Sequence, residues 1–162
     1  MSIVALVFLA CAGQQAPPSV WQLEMHDRGS EATLERPAEH PGLMRITIAR
    51  AADSTEFNIQ LRRTGFRVEA SEAFALTFRA RAAGPRQIAF GVGMAHAPWE
   101  GLGFYDRVEI GPAWQAFSRT FTLKTREANA QLTFNLGAVA VSLELDSIVL
   151  RRMPSGDIVI KP

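Results

Sequence analysis

The sequence predicts an all-β chain folded as an antiparallel β-sandwich or jelly roll, and three observations predict it. Apolar residues alternate with polar or small ones in about ten short runs, the period of a half-buried strand. Turn formers separate the runs, among them Asp27-Arg28-Gly29-Ser30, Pro41-Gly42, Gly84-Pro85 and Gly111-Pro112. No stretch sustains an apolar repeat at helical spacing, which leaves no room for a βαβ nucleotide fold.

The predicted strands are residues 21–25, 32–36, 43–48, 57–61, 74–81, 86–94, 104–110, 117–124, 131–136 and 141–150. They form one domain over residues 20–152, followed by a tail over residues 153–162. Ahead of them, residues 2–12 are an apolar run too short to span a bilayer, ending in Ala10-Cys11-Ala12. That small-x-small ending reads residues 1–12 as a secretory signal peptide, removed after Ala12, with residues 13–19 as a tether containing Pro17-Pro18. The expected destination is secreted or periplasmic; the other reading is a lipoprotein carrying its lipid on Cys11. With a single cysteine the chain forms no internal disulfide.

Charge excludes one class of partner. Seventeen Lys and Arg against sixteen Asp and Glu leave a net charge of +1, so no strong field draws nucleic acid or anionic lipid. Catalysis is not expected either. Glu100, Asp106 and Glu109 have no evident partner carboxylate, the three histidines lack metal-ligand spacing, and no Gly-x-Ser-x-Gly elbow occurs.

The three runs between Phe57 and Met94 carry the candidate site. Their apolar parity belongs to the core, with Phe78 and Phe90 at its centre. The other parity presents Asn58, Gln60 and Arg62, then Thr77, Arg79 and Arg81, then Gln87, Ala89 and Gly91, a face rich in amides and guanidinium groups and poor in carboxylates. Asn135, between Phe134 and Leu136, joins that face by the same parity, while Arg81 reads equally as a strand-end structural residue. Amides donate and accept together, which suits hydroxyl-rich ligands, and arginine adds a planar fork of donors. In the loop before Phe104 and Tyr105, Pro98-Trp99 offers an aromatic that either stacks on a ligand or plugs the end of the sandwich. Trp21 and Trp114, in alternating apolar company, are expected in the core.

Taken in order, Gln60-Leu61 through Gly65, Phe74 through Ala82, Arg86-Gln87-Ile88, Pro98-Trp99, Leu102-Gly103, Trp114 through Phe117, Phe121, Asn129-Ala130, Leu132 through Gly137 and Leu145 through Leu150 resemble the carbohydrate-binding module family 4/9. The resemblance spans residues 21–151 and departs at Phe57, where a Trp is often found. It implies a galactose-binding-like jelly roll without catalysis of its own, binding a polysaccharide of the β-glucan or xylan class and working beside a glycoside hydrolase. It also implies a structural calcium near the first and last strands, where Glu24 and Asp146 are the candidate ligands. The expected sugar contacts are Asn58, Gln60, Thr77, Arg79, Gln87, Trp99, Tyr105 and Asn135. The competing reading is a structural or protein-interaction sandwich. A polar groove with an aromatic rim favours the first, a flat apolar patch the second.

Overall fold

The computed structural model describes residues 20–154. In chain order its strands are β1 (Gln22–Met25), β2 (Glu31–Glu35), β3 (Met44–Arg50), β4 (Ile59–Val68), β5 (Ala73–Ala82), β6 (Arg86–Met94), β7 (Gly101–Ile110), β8 (Gln115–Thr122), β9 (Glu127–Asn135) and β10 (Leu143–Arg152). Each predicted run is found as a strand, though the ends move. All pairings are antiparallel, and they make two five-stranded sheets: a front sheet ordered β1-β4-β9-β6-β7 and a back sheet ordered β2-β3-β10-β5-β8. The fold is the predicted β-sandwich. The signal-peptide, tether and tail assignments at residues 1–19 and 155–162 lie outside the described residues.

Alternation puts one face of each sheet inside. Ile59 and Leu61 of β4, Phe78 and Ala80 of β5, Ile88, Phe90 and Val92 of β6 and Leu132 and Phe134 of β9 are all buried between the layers. Phe78 of the back sheet meets Phe90 and Phe134 of the front sheet edge-on, at ring-centroid separations of 5.0 and 5.2 Å, and lies 5.1 Å from Phe117. The two edge-on contacts are an arrangement aromatic quadrupoles favour, and Phe117 stacks on Phe78 at an interplanar angle of 28°. Trp21 is half-buried and packs on Phe134 at 5.9 Å, as expected of a core-side residue.

Four sequence expectations change here. Residues 56–58 form a 3-10 turn, so the strand begins at Ile59 and continues to Val68. The turn takes Asn58 out of the alternation: its side chain is buried and donates to Asp53 Oδ1 at 3.1 Å, bracing the turn and not reaching any ligand face. The three central runs also do not share a face, because β5 belongs to the back sheet. Thr77, Arg79 and Arg81 therefore point away from Gln60 and Gln87, on the opposite side of the molecule. There Arg79 pairs with Asp146 at 3.6 Å, and Arg81 shares Glu144 with Arg45. Trp114 is not in the core; its ring lies half-exposed on that back face, with the Arg79 and Arg81 guanidinium carbons 5.0 and 4.8 Å from its centroid. Finally, Glu24 and Asp146 lie on different sheets, and each faces an arginine instead of the other: Arg62 at 2.5 Å and Arg79 at 3.6 Å. These residues do not fit a shared calcium site, and no cluster of three metal-ligating side chains occurs among the described residues.

Arg86 starts β6 on the inward parity and is buried. It caps the end of the sandwich, donating from Nη2 to the Leu136 carbonyl at 2.8 Å and from Nη1 to the Val141 carbonyl. Burial pulls its pKa down to about 10, still far enough above neutral to keep it charged.

Candidate functional site

The outer face of the front sheet carries a groove of about 720 Å³, larger than two other hollows of about 370 and 190 Å³. Strand register builds its floor in rows. One row runs Glu24, Gln60, Asn135, Ala89, Arg107 from β1 to β7; the next runs Gln22, Arg62, Thr133, Gly91, Tyr105; a third brings Gln131 beside Gly93. Successive rows are about 7 Å apart, two strand residues. The amides therefore occupy one side of the floor and glycine the middle.

Gly91 is glycine because of what lies on it. A Cβ there would sit 2.7 Å from the Phe104 carbonyl oxygen and 2.9 Å from Tyr105 Cδ2, so the Tyr105 ring leans over a backbone with no side chain. The phenol is held by Glu56, whose carboxylate also takes Arg107 Nη2 at 2.9 Å, and the Arg107 guanidinium lies 5.1 Å from the ring centroid. Burial and the Glu56 carboxylate together push the Tyr105 hydroxyl above its ordinary pKa of 10.0.

Two aromatics stand at the sides. Phe57 projects from the 3-10 turn, which the end of β9 holds in place: Gly137 N–H donates to the Glu56 carbonyl at 2.7 Å, in an approach so close that a Cβ on Gly137 would lie 2.6 Å from the Thr55 carbonyl oxygen. Trp99 projects from the β6–β7 loop, after a cis Ala97–Pro98 bond and at φ +63°, a left-handed conformation that bulky side chains seldom adopt. Its N–H donates to the His96 carbonyl at 2.8 Å, and the loop base is pinned by Met94 N–H to Glu100 O at 2.9 Å and Ala95 N–H to Asn129 O at 3.0 Å. Phe57, Trp99 and Tyr105 are 57%, 58% and 51% exposed, and they are the exposed aromatic side chains of the described residues. All three line this one groove.

Of the expected sugar contacts, the structure brings together Gln60, Asn135, Trp99 and Tyr105. Gln60 Nε2 donates to Asn135 Oδ1 at 2.7 Å, and His26 Nε2 lies 2.9 Å from Gln60 Oε1. Gln87 is on the same sheet face but beyond the groove, donating to Glu109 Oε1 at 2.9 Å. Asn58, Thr77 and Arg79 are elsewhere for the reasons given above. Sequence reading missed Phe57, Glu56, His26, Gln131 and Thr133 as lining residues, and Glu24, read there as a metal ligand, is another. Thr133 and Gln131 follow from Asn135 by simple alternation; Glu56 and His26 sit in irregular segments, where parity says nothing. The groove's carboxylates are matched by cations: Glu24 by Arg62, which also approaches Gln131 at 3.4 Å, and Glu56 by Arg107. Such a surface favours neither a strongly anionic nor a strongly cationic ligand.

His96 makes the Trp99 loop sensitive to pH. Its Nε2 is 3.3 Å from Glu127 Oε1, and the hydrogen bond to the Ala97 carbonyl, reinforced by Glu127, raises the imidazole above its ordinary pKa of 6.5. Glu127 is lowered, first by the Asn129 N–H and then by His96. A raised histidine stabilises the fold fully below its unfolded pKa, and that contribution disappears as pH rises through the folded one. The lowered Glu127 contributes above its unfolded pKa and loses that contribution as pH falls through its folded value. The melting temperature should therefore decline as pH rises from about 6.5 through the folded His96 pKa. His96→Asn should flatten that decline, as calorimetry across this range will show.

No protein-family model and no curated protein matches this chain. Solved structures do. A CBM4 module superposes with a TM-score of 0.70 at 24% identity, over 82% of this chain and 86% of that one. The N-terminal cellulose-binding domain of Cellulomonas fimi β-1,4-glucanase C gives 0.61 at 18% identity, over 77% and 89%. The CBM22-1 xylan-binding domain from Paenibacillus barcinonensis gives 0.54 at 12%, over 82% and 85%. What the chain shares with them is the fold, the two-sheet jelly roll of carbohydrate-binding modules.

Proposed function

We propose that this chain is a non-catalytic carbohydrate-binding module that holds a polysaccharide of the β-glucan or xylan class in the front-sheet groove. The observation that carries the reading is the convergence of the three exposed aromatics, Phe57, Trp99 and Tyr105, on one amide-floored groove. Aromatic faces stack on the C–H faces of pyranose rings while Gln60, Asn135, Gln131 and Thr133 exchange hydrogen bonds with hydroxyls. The fold neighbours named for cellulose and xylan support this ligand class. A groove with an aromatic rim, in place of a flat apolar patch, favours glycan over a protein partner. The reading includes export directed by residues 1–12 and service beside a glycoside hydrolase.

Affinity gels containing soluble xylan or mixed-linkage β-glucan test it. The protein should be retarded on at least one, and Gln60→Ala should weaken that retention several-fold, since a neutral hydrogen bond is worth roughly 0.5–1.5 kcal/mol net. Migration unchanged on every gel, for a folded protein, would remove the reading.

A further inference from the structure

His96 stands at the root of the loop that carries Trp99, and both of its ring nitrogens face atoms that only accept hydrogen bonds. Nδ1 lies 2.7 Å from the Ala97 carbonyl oxygen, and Nε2 lies 3.3 Å from Glu127 Oε1 at the start of β9. A carbonyl never donates. Nor does this carboxylate, because Glu127 Oε1 already accepts the Asn129 N–H at 2.8 Å, and that bond and then His96 keep the group ionised. Satisfying both sides takes two N–H groups on one imidazole, which only the protonated ring has. A neutral ring carries one proton, so either tautomer sets a nitrogen lone pair against an oxygen lone pair. One of the two contacts must then open.

That opening bears on Trp99 because of where the loop is fixed. Its base is held by the backbone bonds from Met94 to Glu100 and from Ala95 to Asn129, which no side-chain proton changes. Its tip hangs on His96: the Trp99 N–H donates to the His96 carbonyl, and Ala97, which the ring grips, is two residues before Trp99. Trp99 itself stands at φ +63°, a conformation that persists only where its surroundings hold it. We infer that His96 is a positioning residue for the Trp99 platform, fixing the indole at the groove when protonated and releasing it when neutral. Glycan affinity is thereby regulated by pH, higher in acid and lower above neutrality. The sign follows from the bonds: both favour the cation and raise the imidazole pKa, so the fully held loop is the state below it. Among the described residues the charged partner of the ring is Glu127; Glu100, on the same loop, is exposed and forms no ion pair with it. The regulation rests on the glycan-binding reading, but the coupling of His96 to Trp99 can be tested without a ligand.

Retention on xylan and mixed-linkage β-glucan gels should fall about fivefold between roughly pH 5.5 and roughly pH 8.5, the size of one net hydrogen bond lost across the ordinary histidine range. His96→Asn should show the weaker retention at both ends of that range. The control is His26, which lines the groove 2.9 Å from Gln60 Oε1; His26→Asn should keep the wild-type slope. Binding couplings are reciprocal, so a glycan that retards the protein should raise the His96 titration seen by nitrogen NMR of labelled histidine. Without ligand, the Trp99 indole N–H resonance, identified by its absence from Trp99→Ala, should shift with the His96 midpoint. A slope that survives His96→Asn, or one lost only in His26→Asn, overturns the regulation, as does a flat wild-type profile. A Trp99 resonance that ignores the His96 titration overturns the positioning role. If the wild type binds neither glycan at either pH, the functional reading fails, while that resonance still decides whether His96 holds the loop.

Discussion

Trp99→Ala should remove most of the retention on xylan or β-glucan gels while the melting temperature stays nearly unchanged. Trp99 is more than half exposed, stands on a loop and makes no ring contact with the core aromatics. Surface substitutions of this kind usually change stability by less than about 0.5 kcal/mol. Binding is a different matter. A weak carbohydrate interaction draws much of its free energy from one or two stacking platforms, and large rigid aromatics dominate such sites out of proportion to their number. The positive φ of Trp99 does not alter that expectation, because the left-handed cost arises at Cβ, which alanine keeps. The test pairs gel retention with calorimetry. Loss of folding on Trp99→Ala would show that the ring plugs the sandwich after all.

The second large effect runs the other way. Phe78→Ala should destabilise by roughly 3–5 kcal/mol and leave whatever folded protein remains with an intact groove. Phe78 is 2% exposed and is the ring through which the back sheet grips the front sheet, meeting Phe90 and Phe134 at once. Truncation opens a cavity that two β-sheets cannot close without breaking strand pairings, so relaxation is limited. For a domain of this size the loss corresponds to a fall of about 10 °C or more in melting temperature. Denaturant titration of the variant measures it directly. A silent Phe78→Ala would mean the inner and outer faces had been assigned backwards.

These two substitutions also mark what the sequence made legible. Strand identity was readable because alternation is enforced by burial: Phe78 inside and Arg79 outside, Phe134 inside and Asn135 outside, are the same physical demand repeated. Which outside, however, is not a local property. Parity says that Arg79 and Gln60 both leave the core, but only the non-local pairing of β4 with β9 and of β5 with β10 places them on opposite sides of the molecule. Trp114 shows the companion limit. At the start of β8 its apolar company suggested burial, yet the Arg79 and Arg81 guanidiniums provide an outside surface on which an indole can lie. Asn58 was lost to a single turn of 3-10 geometry, while the burial of Arg86 had no local signal, since charged residues are ordinarily outside except where, as here, two backbone carbonyls at a sandwich end need donors. Within the groove, Trp99, Tyr105, Gln60 and Asn135 were found because an exposed aromatic and a polar residue between two core neighbours are each unusual enough to notice.

The order β1-β4-β9-β6-β7 has a kinetic meaning as well. Gln60 and Asn135 stand 75 positions apart in the sequence, and β9 cannot pair with β6 or β4 until the chain has returned from the far side of the molecule. Closing such long loops is slow, placing folding on the millisecond-to-second scale usual for sandwiches dominated by distant pairings. The amide row is thus assembled late and as a unit, and no fragment of the chain can display half of it. Opening it in the native state likewise means separating β9 from both neighbours, close to global unfolding in free energy. A ligand seated across those strands would therefore restrain the whole domain, holding together segments that the linear chain keeps far apart.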